Sequence, residues 1–287
     1  MIVLSPECFP CFLRQADLAA RAHGADEARR TVLAARVSRM LADLSPGEIP
    51  ARIATRLQTI AREVLGTGDP FLRVKQRELR RFRETASRAE TLVAASADPL
   101  SAAVRLSVFG NIMDSGIVEP ESMESAIACL PAANGAWEMP PRLRERIARA
   151  ARIGVLLDNA GEVAFDVPLL SRLSREGKSL WIGVKGGPVI DDLTEAEARG
   201  IGLAAFGELV SNGNQGVGTD LDLCPDEFRS RIASSDLVIS KGQANFETLV
   251  GRVRHAYFLL RCKCPVVSRA LGREEGEMIV LDGGAAA

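Results

Sequence analysis

Five polar or glycine-rich segments carry the residues best suited to chemistry, and each directly follows a short apolar run. Asp158-Asn159-Ala160-Gly161-Glu162 follows residues 153–157, and Lys185-Gly186-Gly187-Pro188-Val189-Ile190-Asp191-Asp192 follows residues 180–184. Asn212-Gly213-Asn214-Gln215-Gly216-Val217-Gly218-Thr219 follows residues 208–211. Lys241-Gly242-Gln243-Ala244-Asn245 follows residues 237–240, and Arg261-Cys262-Lys263-Cys264 follows residues 257–260. Asp158 and Asn159 offer hard oxygen donors from adjacent positions, and Asp192 adds a carboxylate from the next segment. Such oxygen-only donors suit Mg²⁺, Mn²⁺ and similar cations. The competing role for either aspartate is to cap the helix that follows it. The pair with Asn159 favours a metal, because convergent carboxylates need a cation or raised pKa values. Lys241-Gly242 brings an ammonium and backbone N–H groups to one point, a combination that holds phosphate. The competing reading there is a surface lysine.

Gly213, Gly216 and Gly218 have dinucleotide-like spacing, but they follow the third run and no helix starts at once. A loop whose backbone approaches a ligand fits better than a nucleotide fingerprint. Gly110-Asn111-Ile112-Met113-Asp114-Ser115-Gly116 closes a helix whose Val104, Leu106, Val108 and Phe109 make it apolar nearly all round, hence buried. Asn111 and Asp114, three apart, share a face and need polar partners if buried. A place in the cleft and a plain helix end with a turn are equally supported. Cysteines stand at 8, 11, 129, 224, 262 and 264. Cys8-x-x-Cys11 with Cys262-x-Cys264 could form a four-thiolate zinc site. The CxC spacing argues against it, and Phe9, Phe12, Leu13 and Ala16 beside Cys8 favour core packing.

The elements behind these segments read in two styles. In the first half, Leu33, Val37, Met40, Leu41 and Leu44 mark one amphipathic helix, and Ile53, Leu57, Ile60, Ala61, Val64 and Leu65 another. Leu72, Leu79, Phe82, Ala86, Ala89 and Val93 predict a single longer helix, with arginines from 73 to 88 on its solvated face. In the second half, the five apolar runs and a sixth at 278–281 alternate with helix-length stretches. That alternation predicts an α/β fold: a Rossmann-like, mainly parallel sheet flanked by helices, preceded by an all-helical part. The expected division is 1–140 helical and 141–287 α/β, with the Gly110–Gly116 segment reaching the cleft. The linker at 130–141 holds three prolines and the Asn134-Gly135 turn signal. Ligands of such sheets bind beyond the carboxyl ends of the strands, where all five segments fall.

Composition narrows the function. The 287 residues include 36 Lys+Arg against 37 Asp+Glu, a balance that argues against a nucleic-acid binder. Hydrophobic residues at 47% and charged residues at 25% suit a globular chain. No apolar run approaches the roughly 18 residues of a membrane span. No basic-then-apolar signal segment opens the sequence, so a cytoplasmic location is expected. His23 and His255 are the only histidines, which excludes a multi-histidine metal centre. Arginine outnumbers lysine 31 to 5, so a lysine at a strand end hints at a positional role.

These motifs occur in a familiar order. Gly110-Asn111-x-x-Asp114, Asp158-Asn159-Ala160-Gly161-Glu162, Gly187-Pro188-x-x-x-Asp192, Ser211-Asn212-Gly213, Lys241-Gly242-x-x-Asn245-x-Glu247 and Lys263-Cys264-x-x-Val267 resemble the damage-control phosphatases, once labelled domain of unknown function 89. Cys8-x-x-Cys11-x-x-Arg14-Gln15-Ala16 resembles their cysteine-bearing prokaryotic subfamily. The resemblance covers essentially the whole chain. It implies a helical part joined to a Rossmann-like domain, and metal-dependent hydrolysis of phosphate monoesters with Mn²⁺, Co²⁺, Ni²⁺ or Mg²⁺. It further implies that Asp158, Asn159 and Asp192 ligate the metal, and that Lys241 with the Gly242 backbone holds phosphate. Relatives commonly carry Asn before the last ligand, where this chain has Asp191.

The expected activity is hydrolysis of small phosphorylated metabolites, such as sugar phosphates, phosphopantetheine-like compounds or damaged metabolites. Asp158, Asp192, Lys241 and Asp114 are the expected catalytic residues, with the general base open between Asp114 and Asp192. Asn111, Glu162, Ser211, Asn212, Gly213, Gly242 and Asn245 are the expected substrate contacts, and Glu247 is placed to orient the Lys241 loop. An aspartyl-phosphate route is disfavoured, because Ala160 stands where a second Asp is usual. Two other classes stay open: a Rossmann-type transferase using a nucleotide or S-adenosylmethionine, and a non-enzymatic cysteine zinc or redox protein. Substrate identity and oligomeric state are not legible.

Overall fold

A computed structural model describes residues 2–111 and 139–285. Asp114, Cys129 and nearly all of the expected linker lie outside them. Six helices come first: α1 (Cys8–His23), α2 (Glu27–Ala42), α3 (Pro50–Leu65), α4 (Leu72–Leu79), α5 (Phe82–Ala94) and α6 (Pro99–Gly110). Then follow α7 (Pro141–Arg149), β1 (Arg152–Leu156), α8 (Val163–Arg175), β2 (Ser179–Val184), α9 (Glu195–Gly200) and β3 (Glu208–Ser211). The chain continues with α10 (Asp226–Ala233), β4 (Leu237–Lys241), α11 (Gln243–Leu249), β5 (Ala256–Arg261), α12 (Pro265–Leu271) and β6 (Met278–Asp282).

The sheet order is β3-β2-β1-β4-β5-β6, with the first five strands parallel and β6 antiparallel to β5. The fold is therefore the expected α/β arrangement, with each predicted strand within a residue of its observed bounds. The continuous apolar runs arise because both faces of the sheet are covered, so all of β4 is buried. Gly154 in β1 is required by Trp181, its register partner on β2, whose ring occupies the space of a Cβ. The indole stacks edge-on against Phe228 and donates to Ser235 Oγ at 2.8 Å.

One expectation fails. Residues 72–94 form two helices broken at Arg80–Arg81, not one. The apolar stripe continues across the break, and no Gly or Pro marks it. Lys75 on α4 is also fully buried rather than solvated, pairing with Asp69 at 2.7 Å and Glu197 at 2.9 Å.

Packing ties the helices to the sheet. Residues of α5 and α6 share one apolar cluster with α8 and both central strands. A second cluster, built by α1, α2 and α3, receives Val189 and Val217 from two strand-end loops, with Ile190 packed against it. Ile190 has φ 45°, a left-handed conformation that strains a β-branched residue.

Candidate active site

The order reverses direction between β1 and β4, which makes their carboxyl ends the switch point where such sheets bind ligands. Leu156 pairs with Ser240, so Asp158 and Gly242 come level just past the strands. Gly242, at φ 82°, lies directly beneath the Asp158 carboxylate, which fills the place of any Cβ. From β2, the Asp192 segment folds back alongside: Ala160 N–H donates to Asp191 O at 2.8 Å, and Leu193 N–H to Asp158 O at 2.9 Å. Asn159 and Asp192 are bridged opposite one another. Thus Asp158, Asn159 and Asp192 converge, and all three are buried. Neither aspartate caps a helix. Helix α8 has no side-chain cap, and α9 is capped by Thr194 with Glu197 in a reciprocal box.

Burial raises the pKa of Asp158 well above the usual carboxylate range, and the charges of Asp192 and Glu162 add to it. Asp192 is raised by burial as well, with the Lys185 ammonium 3.2 Å away opposing the shift. Two buried carboxylates whose proton affinity is raised by burial and by the charge of Glu162 form a natural seat for a cation. The donor set of two carboxylates and one amide fits a hard divalent ion.

Beneath them lies a polar floor. Asn111 donates to Asp158 Oδ2 at 3.2 Å and to Glu162 Oε2 at 2.9 Å, and its own oxygen accepts from Arg261 N–H. Lys241 is fully buried, donating to Glu162 at 3.2 Å and Asp166 at 2.8 Å. Burial works against its charge, but Asp166 and Glu162 keep it protonated. Burial pushes Asp166 up to about 6 while Lys241 opposes; the same oxygen takes the Ser107 hydroxyl at 2.6 Å. Asp166 and Ser107 were not anticipated, although a lone acid within the apolar run Ala164–Leu170 was a usable signal.

Several expected substrate contacts have other tasks. Lys241 meets carboxylates below the cleft, and the Gly242 N–H donates to Leu259 O, so neither presents itself to phosphate. Asn245 is buried, donating to Lys241 O and Leu157 O and accepting from Thr219. Asn111 and Glu162 hold the Asp158 loop. Ser211 and Asn212 accept the N–H groups of Gly213 and Asn214. Further along this loop, Gly216, Val217 and Thr219 donate to Asn214, Thr55 and Thr248. These N–H groups are already bonded, so a nucleotide phosphate finds no grip on them, which removes the footing of the transferase reading.

Glu247 does support the Lys241 loop, through Gln243. Gln243 donates to Glu247 at 2.9 Å and to Cys264, and accepts the Lys263 N–H. Burial pushes Glu247 up to about 7, against the Gln243 hydrogen bond. In the unfolded chain this carboxyl ionises near the ordinary glutamate value of about 4.5. Its burial therefore costs nothing below that pH, and an increasing amount up to about 7. Glu247→Gln is expected to leave the melting temperature nearly unchanged at pH 4 and raise it by several degrees at pH 8. Thermal melts at the two pH values check this, since each pKa unit is worth about 1.4 kcal/mol.

The zinc arrangement does not form. Among the described residues, no three His, Cys, Asp or Glu side chains stand as a metal-binding group. Cys262 is buried against Ser268 at 3.0 Å, whereas Cys264 meets Gln243.

The family model for the damage-control phosphatase ARMT1-like domain matches residues 4–279. This chain belongs to that family. A damage-control phosphatase of Archaeoglobus fulgidus is 32% identical over 281 residues, covering 96% of this chain and 98% of its own. One from Pyrococcus horikoshii is 28% identical, covering 96% of each. The crystal structure of the Pyrococcus protein, a DUF89 family protein, superposes with a TM-score of 0.87 over 99% of this chain and 100% of its own. The chain is therefore a phosphatase of the damage-control class. Among the described residues, no helix is long and apolar enough to cross a membrane.

Proposed function

We propose that this damage-control phosphatase hydrolyses phosphate monoesters of small metabolites with the aid of a divalent cation held by Asp158, Asn159 and Asp192. The observation that carries the reading is the charge imbalance at the switch point. Asp158, Glu162, Asp166 and Asp192 are buried there, against the buried Lys185 and Lys241, with Lys263 only half-buried beyond them. Four buried carboxylates beside two buried ammonium groups in a low-dielectric interior favour further positive charge. A cation of this kind supplies charge for the phosphoryl oxygens and lowers the pKa of a bound water.

The chain's own groups do the rest. Asn111 orients the Asp158 carboxylate through one N–H and ties it to Glu162 through the other. Lys241 keeps Glu162 and Asp166 compatible with burial. Lys263 is half-buried, and its charge reaches Asp158, lowering that group's proton affinity. In this reading Lys263, just past the carboxyl end of β5, meets the phosphate dianion, whereas Lys241 is engaged below with Glu162 and Asp166. Glu247 and Gln243 fix the Lys263 backbone in that position. The substrates proposed are sugar phosphates, phosphopantetheine-like compounds and damaged metabolites.

The test is hydrolysis of p-nitrophenyl phosphate by protein treated with EDTA and then supplied with Mn²⁺, Ni²⁺, Co²⁺ or Mg²⁺. Activity should vanish on chelation and return with at least one cation. Full activity in EDTA would overturn the reading.

A further inference from the structure

The glycine-rich loop that resembles a nucleotide fingerprint has a different ligand. Its N–H groups at Gly213, Asn214, Gly216, Val217 and Thr219 are bonded to neighbouring side chains. Its carbonyls at Gly216 and Gly218 instead turn toward one buried ammonium, that of Lys185, at 3.0 Å from Gly216 and close to Gly218. A phosphate loop offers N–H donors to an anion; this loop offers acceptors to a cation of its own chain.

The third contact of that ammonium is Asp192 Oδ2 at 3.2 Å. Lys185 is 3% exposed, so its three partners define its position without help from solvent. Its backbone is held as firmly: Lys185 N–H donates to Leu193 O, and Glu195 N–H donates to Lys185 O. Strand β2, the glycine-rich loop and the Asp192 segment therefore meet at one nitrogen. The loop is in turn fastened to α3 by Val217 N–H on Thr55.

We propose that Lys185 is a positioning residue, which uses the Gly216 and Gly218 carbonyls as a fixed seat to hold the Asp192 carboxylate in its cation-ligating orientation. The proposal rests on the metal reading given above. Partners of metal ligands of this kind typically alter metal affinity by about 10–100-fold when removed. Simple electrostatics gives the opposite sign, because deleting a nearby positive charge alone would tighten cation binding. The direction of the change therefore separates positioning from charge.

The experiment measures Mn²⁺ binding to EDTA-stripped protein by the electron paramagnetic resonance signal of free Mn²⁺. It compares wild type, Asp158→Asn, Lys185→Met and Lys185→Gln, each checked for native circular dichroism. Wild type should bind Mn²⁺ and Asp158→Asn should not. If wild type fails to bind, or Asp158→Asn binds equally well, the metal reading itself falls. With that reading intact, Lys185→Met should raise the Mn²⁺ Kd about 10–100-fold. At saturating Mn²⁺, its KM for p-nitrophenyl phosphate should stay within about twofold of wild type, a split expected when uniform substrate binding is untouched. Unchanged or tighter Mn²⁺ binding would overturn the proposal. So would a large rise in KM at saturating Mn²⁺, which would make Lys185 a phosphate ligand. Lys185→Gln retains a donor for the glycine carbonyls, and the same outcomes decide if the methionine variant does not fold.

Discussion

Asp158→Ala should lower metal-supported hydrolysis of p-nitrophenyl phosphate by roughly 1,000-fold, the scale of losing a principal electrostatic group at a reacting centre. The same substitution should stabilise the metal-free protein. Asp158 is buried, its charge is opposed by Asp192 and Glu162, and its pKa is raised well above the ordinary carboxylate value. Removing it takes away a repulsive charge while leaving the sheet intact. A melt in EDTA should therefore show an equal or higher melting temperature for the variant, with activity lost. A lower melting temperature with activity retained would mean that Asp158 is structural. Such opposition of stability and activity is expected where a site stores unfavourable charge for use on a ligand.

Gly242→Ala should be strongly disruptive. The new Cβ would occupy the position of Asp158 Oδ2, and φ 82° is unfavourable for any residue with a side chain. Backbone strain and a displaced carboxylate together suggest a loss of about 2–4 kcal/mol. Activity should fall with it, since the displaced group is a proposed metal ligand. The double variant with Asp158→Ala provides the check: the collision partner is gone but the backbone strain stays, so stability should be partly restored while activity stays absent. Urea unfolding of the two single variants and the double variant measures that coupling. Additive destabilisation would show that the contact between Gly242 and Asp158 is not what the glycine serves.

The large features were legible because each rests on a local signal. Parallel strands buried on both faces read as uninterrupted apolar runs, so their positions could be placed to within a residue. The loops beyond them held Asp158, Asn159 and Asp192, and the structure brings these three together. What was not legible is direction. A polar side chain at a strand end can face the cleft or the floor, and the choice depends on register across the sheet. Lys241 illustrates this: its position at the end of β4 was clear, but its burial depends on the start of α8 bringing Glu162 and Asp166 to that strand end. The break at Arg80–Arg81 was hidden for a related reason, since Leu79 and Phe82 keep the apolar face continuous while the helix axis changes.

The insertion of Val189 and Val217 into the α1–α3 cluster also governs the order of assembly. These two side chains are separated from α1 by most of the chain, so their burial is a long-range event that must await docking of the helical layer. The strained Ile190 can hold its conformation only once that layer is present. The proposed cation seat is thus expected to complete late in folding, after the sheet's hydrogen-bonded ladder, when α1–α3 close over the loop that carries Asp192.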